Sequence, residues 1–349
     1  MTRAARFIGL GGCLSALAAA AAVPELGASS QDALRTAGPQ AAHILDLWRL
    51  TLVVCTAVFV AVLAVLLWAL RRSTGPAAAD PPGPEMQHVP QERRLLRHIA
   101  VATGVSVLLL LVLLGASLHT DRALAALVRP QGAVQVEVVG HQWWWELRYQ
   151  DADVSRRFNT ANELHVPVGR PVQLTLKADD VIHSFWVPNL AGKKDLIPGR
   201  TTTLTIQADR EGIYRGQCAE FCGAQHAWMA FTVVAQPPAA YAAWADAQRQ
   251  PAAQPADAQQ QQGQQVFQQS TCVMCHAIQG TIANAQRAPD LTHLASRQTL
   301  AAGRLPMSGP TLAAWITDPA AHKPGVNIPG HRFAPADLQA LVAYLSALK

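Results

Sequence analysis

Two apolar runs without a charged side chain constrain this chain more than any other feature. Residues 50–70 lie between Trp48 and the pair Arg71-Arg72, and residues 99–118 form a second run. In lipid the backbone must satisfy its own hydrogen bonds, so such runs cross as helices. About 20 residues suffice for a hydrocarbon core of about 30 Å. A buried core helix is the alternative for each run, and the unbroken apolar length argues against it. The segment between them carries Arg71, Arg72, Arg93, Arg94 and Arg97. Positive charge stays on the cytoplasmic side, which puts both ends of the mature chain outside. Residues 40–120 therefore read as a two-helix membrane hairpin followed by large external domains.

The start of the chain fits export. Arg3 and Arg6 precede an apolar stretch from Phe7 to Val23, so residues 1–28 read as a signal peptide. Leu10-Gly-Gly-Cys13 has the form of a lipoprotein box, behind a short apolar stretch. The net charge of +5 is spread along 349 residues. With no dense basic run, it excludes nucleic acid as a partner.

Residues 125–236 alternate apolar and polar positions in short runs. Val134-Gln-Val-Glu-Val-Val, Pro171-Val-Gln-Leu-Thr-Leu and Thr202-Thr-Leu-Thr-Ile are separated by Gly, Pro and Asn turns, the pattern of a β-sandwich or small barrel. Into this pattern is set Cys218-Ala-Glu220-Phe-Cys222-Gly-Ala-Gln-His226-Ala-Trp-Met229. Two thiols, an imidazole and a thioether at this spacing form a soft-metal set that suits copper. His183 is the natural distant ligand. A Cys218–Cys222 disulfide is the alternative in an oxidising compartment, but it leaves His226 and Met229 unexplained.

Further along, Cys272-Val-Met-Cys275-His276 is the c-type haem attachment pattern, with two thiols for the vinyl groups and His276 as proximal ligand. The preceding residues 237–262 are rich in Pro, Ala and Gln and read as a tether, partly helical. In residues 263–349, Gly263-Gln-Gln-Val-Phe267 and residues 336–345 read as the first and last helices of a small haem domain.

Val181-Ile-His183-Ser-Phe-Trp-Val-Pro188, Lys194-Asp195-Leu-Ile-Pro198-Gly199-Arg200, Gly140-His-Gln-Trp143-Trp144-Trp145-Glu and residues 218–229 together resemble subunit II of cytochrome c oxidase. The resemblance covers both spans and the first external domain. Residues 263–349 resemble the cytochrome c domain fused to that subunit in some bacterial oxidases. The fold class implied is a multidomain membrane protein with two transmembrane helices, a cupredoxin-like β-sandwich and an all-α cytochrome c domain.

The resemblance also implies the binuclear copper centre CuA. Cys218 and Cys222 would bridge two coppers, with His183 and His226 as terminal ligands. Met229 and the Glu220 carbonyl would be weak ligands. The Glu220 side chain would reach a magnesium ion shared with subunit I, and Trp143 would receive electrons. One departure is the start of the second span, where Glu92 alone is near the place of a carboxylate tied to proton uptake in many relatives.

A second departure concerns the distal haem ligand. Relatives supply it from Lys-Pro-Gly-x-x-Met-Pro, whereas this chain has Lys323-Pro-Gly-Val-Asn-Ile328-Pro. Isoleucine cannot ligate iron. Of the five methionines only Met307 is left after the leader, Met86, the copper ligand Met229 and Met274 are set aside. His331 is the other choice, with His293 and His322 as further choices. An open iron and a domain that has lost its role are the remaining alternatives.

The function implied is electron transfer from a cytochrome c or a quinol-cytochrome c reductase through haem c and CuA to subunit I, which reduces dioxygen. Subunit III is a further expected partner. Donation to another reductase, such as a nitric-oxide reductase, is the competing reading. A copper assembly factor is the third, and the haem argues against it.

Overall fold

A computed structural model of the chain describes residues 31–72, 89–127 and 132–349. The leader, Cys13 and Met86 lie outside the described residues. Helix α1 (Pro39–Arg72) and helix α2 (Val89–Ala126) hold the two apolar runs. Within those runs most of the large apolar side chains are exposed, Val53 by 65% and Leu110 by 65%. A helix apolar on every face belongs in lipid.

The first turns of α1 are fastened to the soluble part. Ala37 N donates to the Asn189 carbonyl at 2.7 Å and Ala41 N to the Leu190 carbonyl at 3.1 Å. Gly38 is needed there, because a Cβ would stand 2.1 Å from the Gln207 carbonyl oxygen.

The β domain is a sandwich of two five-stranded sheets. One sheet has the order β3 (Phe158–Ala161), β2 (Trp144–Gln150), β1 (Val134–His141), β5 (Val172–Ala178), β8 (Thr202–Ile206). The other has the order β4 (Glu163–Pro167), β10 (Ala230–Gln236), β9 (Gly212–Cys218), β6 (His183–Trp186), β7 (Lys194–Leu196). Alternation predicts the inner face: in β5, Val172, Leu174 and Leu176 are fully buried and Gln173 and Thr175 are not. Trp145 fills the centre, with Phe231 at 5.2 Å and Phe185 at 5.9 Å between ring centroids.

The sequence expectation of a tether over 237–262 needs correcting. Most of the stretch is helical: α3 (Pro238–Gln248) packs on the sandwich, and α4 (Ala258–Gln269) begins the last domain five residues before Gly263. Two aromatic residues in an Ala-rich stretch supply the reason. Trp244 stacks on His165 at 4.0 Å and meets Tyr149 and Phe158 edge-on, with Tyr241 beside it. Asp257 caps α4 through the Gln260 amide.

The last domain is helical around α4 and α7 (Pro335–Ala347), with α5 (Gly309–Thr317), the one-turn α6 (Pro319–His322) and a short ladder of β11 (Thr299–Leu300) with β12 (Leu305–Pro306). Gly263 lets α4 and α7 cross closely, since a Cβ there would lie 2.0 Å from the Ala340 carbonyl oxygen.

Candidate metal centre and the adjoining cavity

The soft donors named from the sequence converge at one end of the sandwich. The Cys218 and Cys222 sulfurs are 3.7 Å apart. His183 Nδ1 lies 3.9 Å from the first sulfur and His226 Nδ1 3.6 Å from the second. Met229 Sδ is 3.8 Å from the Cys222 sulfur, and the Glu220 carbonyl is 3.2 Å from that of Cys218. The four other expected donors therefore surround the sulfur pair. Local structure explains this: Cys218 ends β9, Met229 precedes β10, and a single turn at His226–Trp228 folds the loop back. His183 opens β6, and β6 pairs with β9.

Several groups set the protonation state of the metal-free site. The Cys222 thiol hydrogen-bonds to the Cys218 sulfur and, against burial, holds Cys218 down at about 4; the Cys218 thiolate in turn raises Cys222. Burial works against protonation of His183, but the Asp180 carboxylate and the Cys218 sulfur together overcome it and raise the imidazole. Asp180 Oδ1 is 2.8 Å from His183 Nε2. A carboxylate only accepts, so Nε2 carries a proton, and Nδ1 is the nitrogen turned toward the sulfurs.

Three residues that motif reading missed shape the site. Asp180 is one. Gly140 is another, because a Cβ there would meet the His183 ring at 2.8 Å. The third is Gly223, at φ +108, where a Cβ would crowd Gln142 at 3.0 Å and Trp143 at 3.2 Å. Their signal was present: each neighbours a motif residue and each is too small, or too acidic, for a strand filler.

The tryptophans divide as strand alternation requires. Trp145 is core. Trp144 stacks on His141 at 4.4 Å. Trp143 is buried, and its Nε1 donates to the Cys222 carbonyl at 2.9 Å, where Gln142 Nε2 also donates at 2.8 Å. The expected magnesium contact has less around it. The Glu220 carboxylate is partly exposed, 3.8 Å from Lys193, and among the described residues the donor cluster close enough for an ion is His183, Cys218 and Cys222.

A cavity of about 520 Å³ lies on the far side of Trp143 and is walled by both domains. That volume is in the range of cofactor sites, about 300–1,000 Å³. Cys272, Cys275 and His276 line it, as do Ile328 and His331; Met307, His293 and His322 do not. Met307 packs into the domain core instead. The turn at Thr271–Met274 brings His276 N to the Cys272 carbonyl at 3.0 Å, so both thiols and the imidazole share one turn.

His276 Nδ1 donates to the Pro289 carbonyl at 2.7 Å, leaving Nε2 free to ligate. Burial lowers His276, with the Arg297 and His331 charges adding to the effect. Arg297 also lines the cavity, is 8% exposed, and its Nε has no partner. An orphaned buried guanidinium nitrogen suits an anionic ring substituent, so these residues fit a covalently attached haem.

Residues 151–236 match the family described as cytochrome c oxidase subunit II, periplasmic domain, and residues 260–349 match the cytochrome c family. Cytochrome c oxidase subunit 2 of Alkalihalophilus pseudofirmus is 33% identical over 93% of this chain and 92% of its own. The subunit 2 of Bacillus sp. strain PS3 is 32% identical over 71% of this chain and 73% of its own. Among solved structures, the periplasmic domain of subunit II of cytochrome oxidase from Bradyrhizobium japonicum is 28% identical. It covers 34% of this chain and 96% of that one, with a TM-score of 0.33.

Proposed function

This chain belongs to the cytochrome c oxidase subunit 2 family, and we propose that it carries electrons from a cytochrome c, or from a quinol-cytochrome c reductase, to the haem-copper subunit I that reduces dioxygen to water. As a subunit of that oxidase it is anchored by two apolar helices and has copper and cytochrome c domains. The observation that carries the electron path is the position of Trp143: its ring borders the cavity with Cys272, Cys275 and His276, and its Nε1 holds the carbonyl of Cys222.

The two centres, when bound, supply one-electron chemistry: a thiolate-bridged copper pair and a c-type iron. The chain's own part is to hold them. Cys218 and Cys222 would bridge the coppers, with His183, His226, Met229 and the Glu220 carbonyl completing them. Asp180 fixes the His183 tautomer, and the rigid sandwich limits ligand movement when the charge changes. Cys272 and Cys275 would anchor the haem and His276 would ligate it. His331, on the cavity wall, would supply the second ligand in place of the missing methionine, with Met307 as the alternative. The Glu220 carboxylate would contribute to a magnesium site completed by subunit I. Orientation follows the arginines of the intervening segment, with both soluble domains on the periplasmic side, and subunit III would join the assembly.

Visible and electron paramagnetic resonance spectra of the purified chain test this reading. A thiolate-copper signal shared over two coppers, together with c-type haem bands, is expected. A chain that takes up copper and haem yet gives neither signature overturns it.

A further inference from the structure

We infer that Lys323 is a positioning residue: it locks the cytochrome domain onto the tryptophan side of the β domain, so that Trp143 serves this chain's own haem and is closed to a soluble donor. The inference rests on the proposed electron path and adds the device that holds that path together. Lys323 is 2% exposed, among the largest side chains that are fully buried. Its Nζ donates to the Trp143 carbonyl at 3.0 Å and to the Ala301 carbonyl at 3.4 Å, one acceptor in each domain. No carboxylate among the described ion pairs serves it. A buried ammonium held only by carbonyl dipoles is costly unless its hydrogen bonds are made, so undocking the domains would leave the Trp143 carbonyl and the ammonium each short of a partner.

The surface that receives Lys323 is built for contact. Ala301, Ala302 and Gly303 adopt φ of 55, 57 and 82 in succession, a left-handed run that non-glycine residues rarely take. This run brings the Ala301 carbonyl to Lys323 and the Ala302 carbonyl to Ala230 N at 3.2 Å. On the far side, Glu163 Oε1 accepts from Gln298 N at 2.6 Å and from Thr299 N at 3.2 Å. Beside Lys323, Asn327 Nδ2 reaches the Gln142 carbonyl at 3.4 Å, and the Gln225 amide donates to the Pro324 carbonyl. The strip after α6 thus lies along Gln142–Trp143, and Trp143 is 8% exposed as a result.

Two measurements on the full chain in detergent test the inference. In Lys323→Met both cofactor bands remain, and after flash reduction of the haem the single electron passes to copper about tenfold more slowly or worse. Lys323→Arg, which keeps the donors, recovers part of that loss. An unchanged rate in Lys323→Met with both bands intact overturns the inference. The second measurement is amine acylation read by mass spectrometry, which needs no variant. In the unsubstituted chain Lys323 reacts at least about tenfold more slowly than exposed Lys194, as a locally protected group does. Equal reactivity overturns the inference. A wild-type chain in which reduced haem and oxidised copper coexist without exchange refutes the proposed function, while the acylation result still decides whether Lys323 clamps the domains.

Discussion

The buried imidazole of His183 is paired with the partly exposed carboxylate of Asp180, with 2.8 Å between Oδ1 and Nε2. The pair turns His183 Nδ1 toward the Cys218 sulfur and fixes its ring, with the edge of Trp145 against it at 6.0 Å. Asp180→Asn removes the charge that selects this tautomer. Copper affinity is expected to fall about 10- to 100-fold, the usual cost of losing such an outer partner, while the cytochrome domain keeps its haem. Competitive copper titration of the full chain measures it, and equal affinity would remove Asp180 from the site.

The same pair makes the metal-free chain pH-dependent in two directions. His183 is raised above its usual 6.5, so its contribution is complete below that value and is lost as pH rises through the folded value. Asp180 is lowered: burial raises it, and the His183 hydrogen bond with the Val181 and Gln142 amides more than offsets that. Its contribution is present above 3.8 and is lost as pH falls through the folded value. Hydrogen exchange of the copper-free loop, corrected for its intrinsic pH dependence, is therefore expected to be most protected between those two limits.

The distal ligand separates two histidine and methionine variants. With His331 on the cavity wall and Met307 in the domain core, His331→Ala is expected to turn a low-spin haem high-spin, and Met307→Leu to leave the spectrum unchanged. The opposite pattern assigns the iron to Met307. A His/His iron is also expected to have a lower potential than His/Met, which redox titration of the same samples reads.

Much of this was legible in the sequence for a definite reason. The apolar runs, the period-two strands and the ligand spacings are local patterns, and each maps onto one element: β5 onto residues 172–178, the ligand loop onto the β9–β10 connection. What was not legible depends on contacts far apart in the chain. Nothing local in Pro238–Gln248 says that Trp244 finds His165 and Tyr149, so the stretch looked like a tether. Lys323 looked like part of a haem-loop motif until its amine met the Trp143 carbonyl, 180 residues away in sequence.

His165 makes the attachment of α3 sensitive to acid. Burial holds its imidazole down at about 4, against the Gln236 hydrogen bond, compared with 6.5 when unfolded. The folded state then binds fewer protons than the unfolded one between these values, so stability is complete above about 6.5 and falls as pH drops toward 4. The full shift corresponds to about 3 kcal/mol. Hydrogen exchange in β4 and α3, corrected for its intrinsic pH dependence, is expected to speed up from pH 7 to pH 5. His165→Phe, which keeps the stack on Trp244, is expected to flatten that dependence; an unchanged slope would move its origin elsewhere.

Gly263 tests whether the two external domains hold their cofactors independently. A Cβ at this position meets the Ala340 carbonyl carbon at 2.6 Å and Tyr344 Cβ at 2.7 Å, in addition to the carbonyl oxygen. These are backbone and helix-anchored atoms that cannot rotate away, so Gly263→Ala must push α4 from α7. Overpacking of this kind costs about 1–3 kcal/mol, while alanine in a helix recovers only about 1 kcal/mol over glycine. The crossing also carries Phe267 and Leu345, which line the haem cavity. The expected result is a lower melting temperature for the haem bands and less haem retained, with the thiolate-copper signal unchanged. Loss of both signals together would mean that the sandwich relies on the docked cytochrome domain to keep its ligand loop closed, as the Ala230–Ala302 and Gln225–Pro324 contacts beside that loop allow.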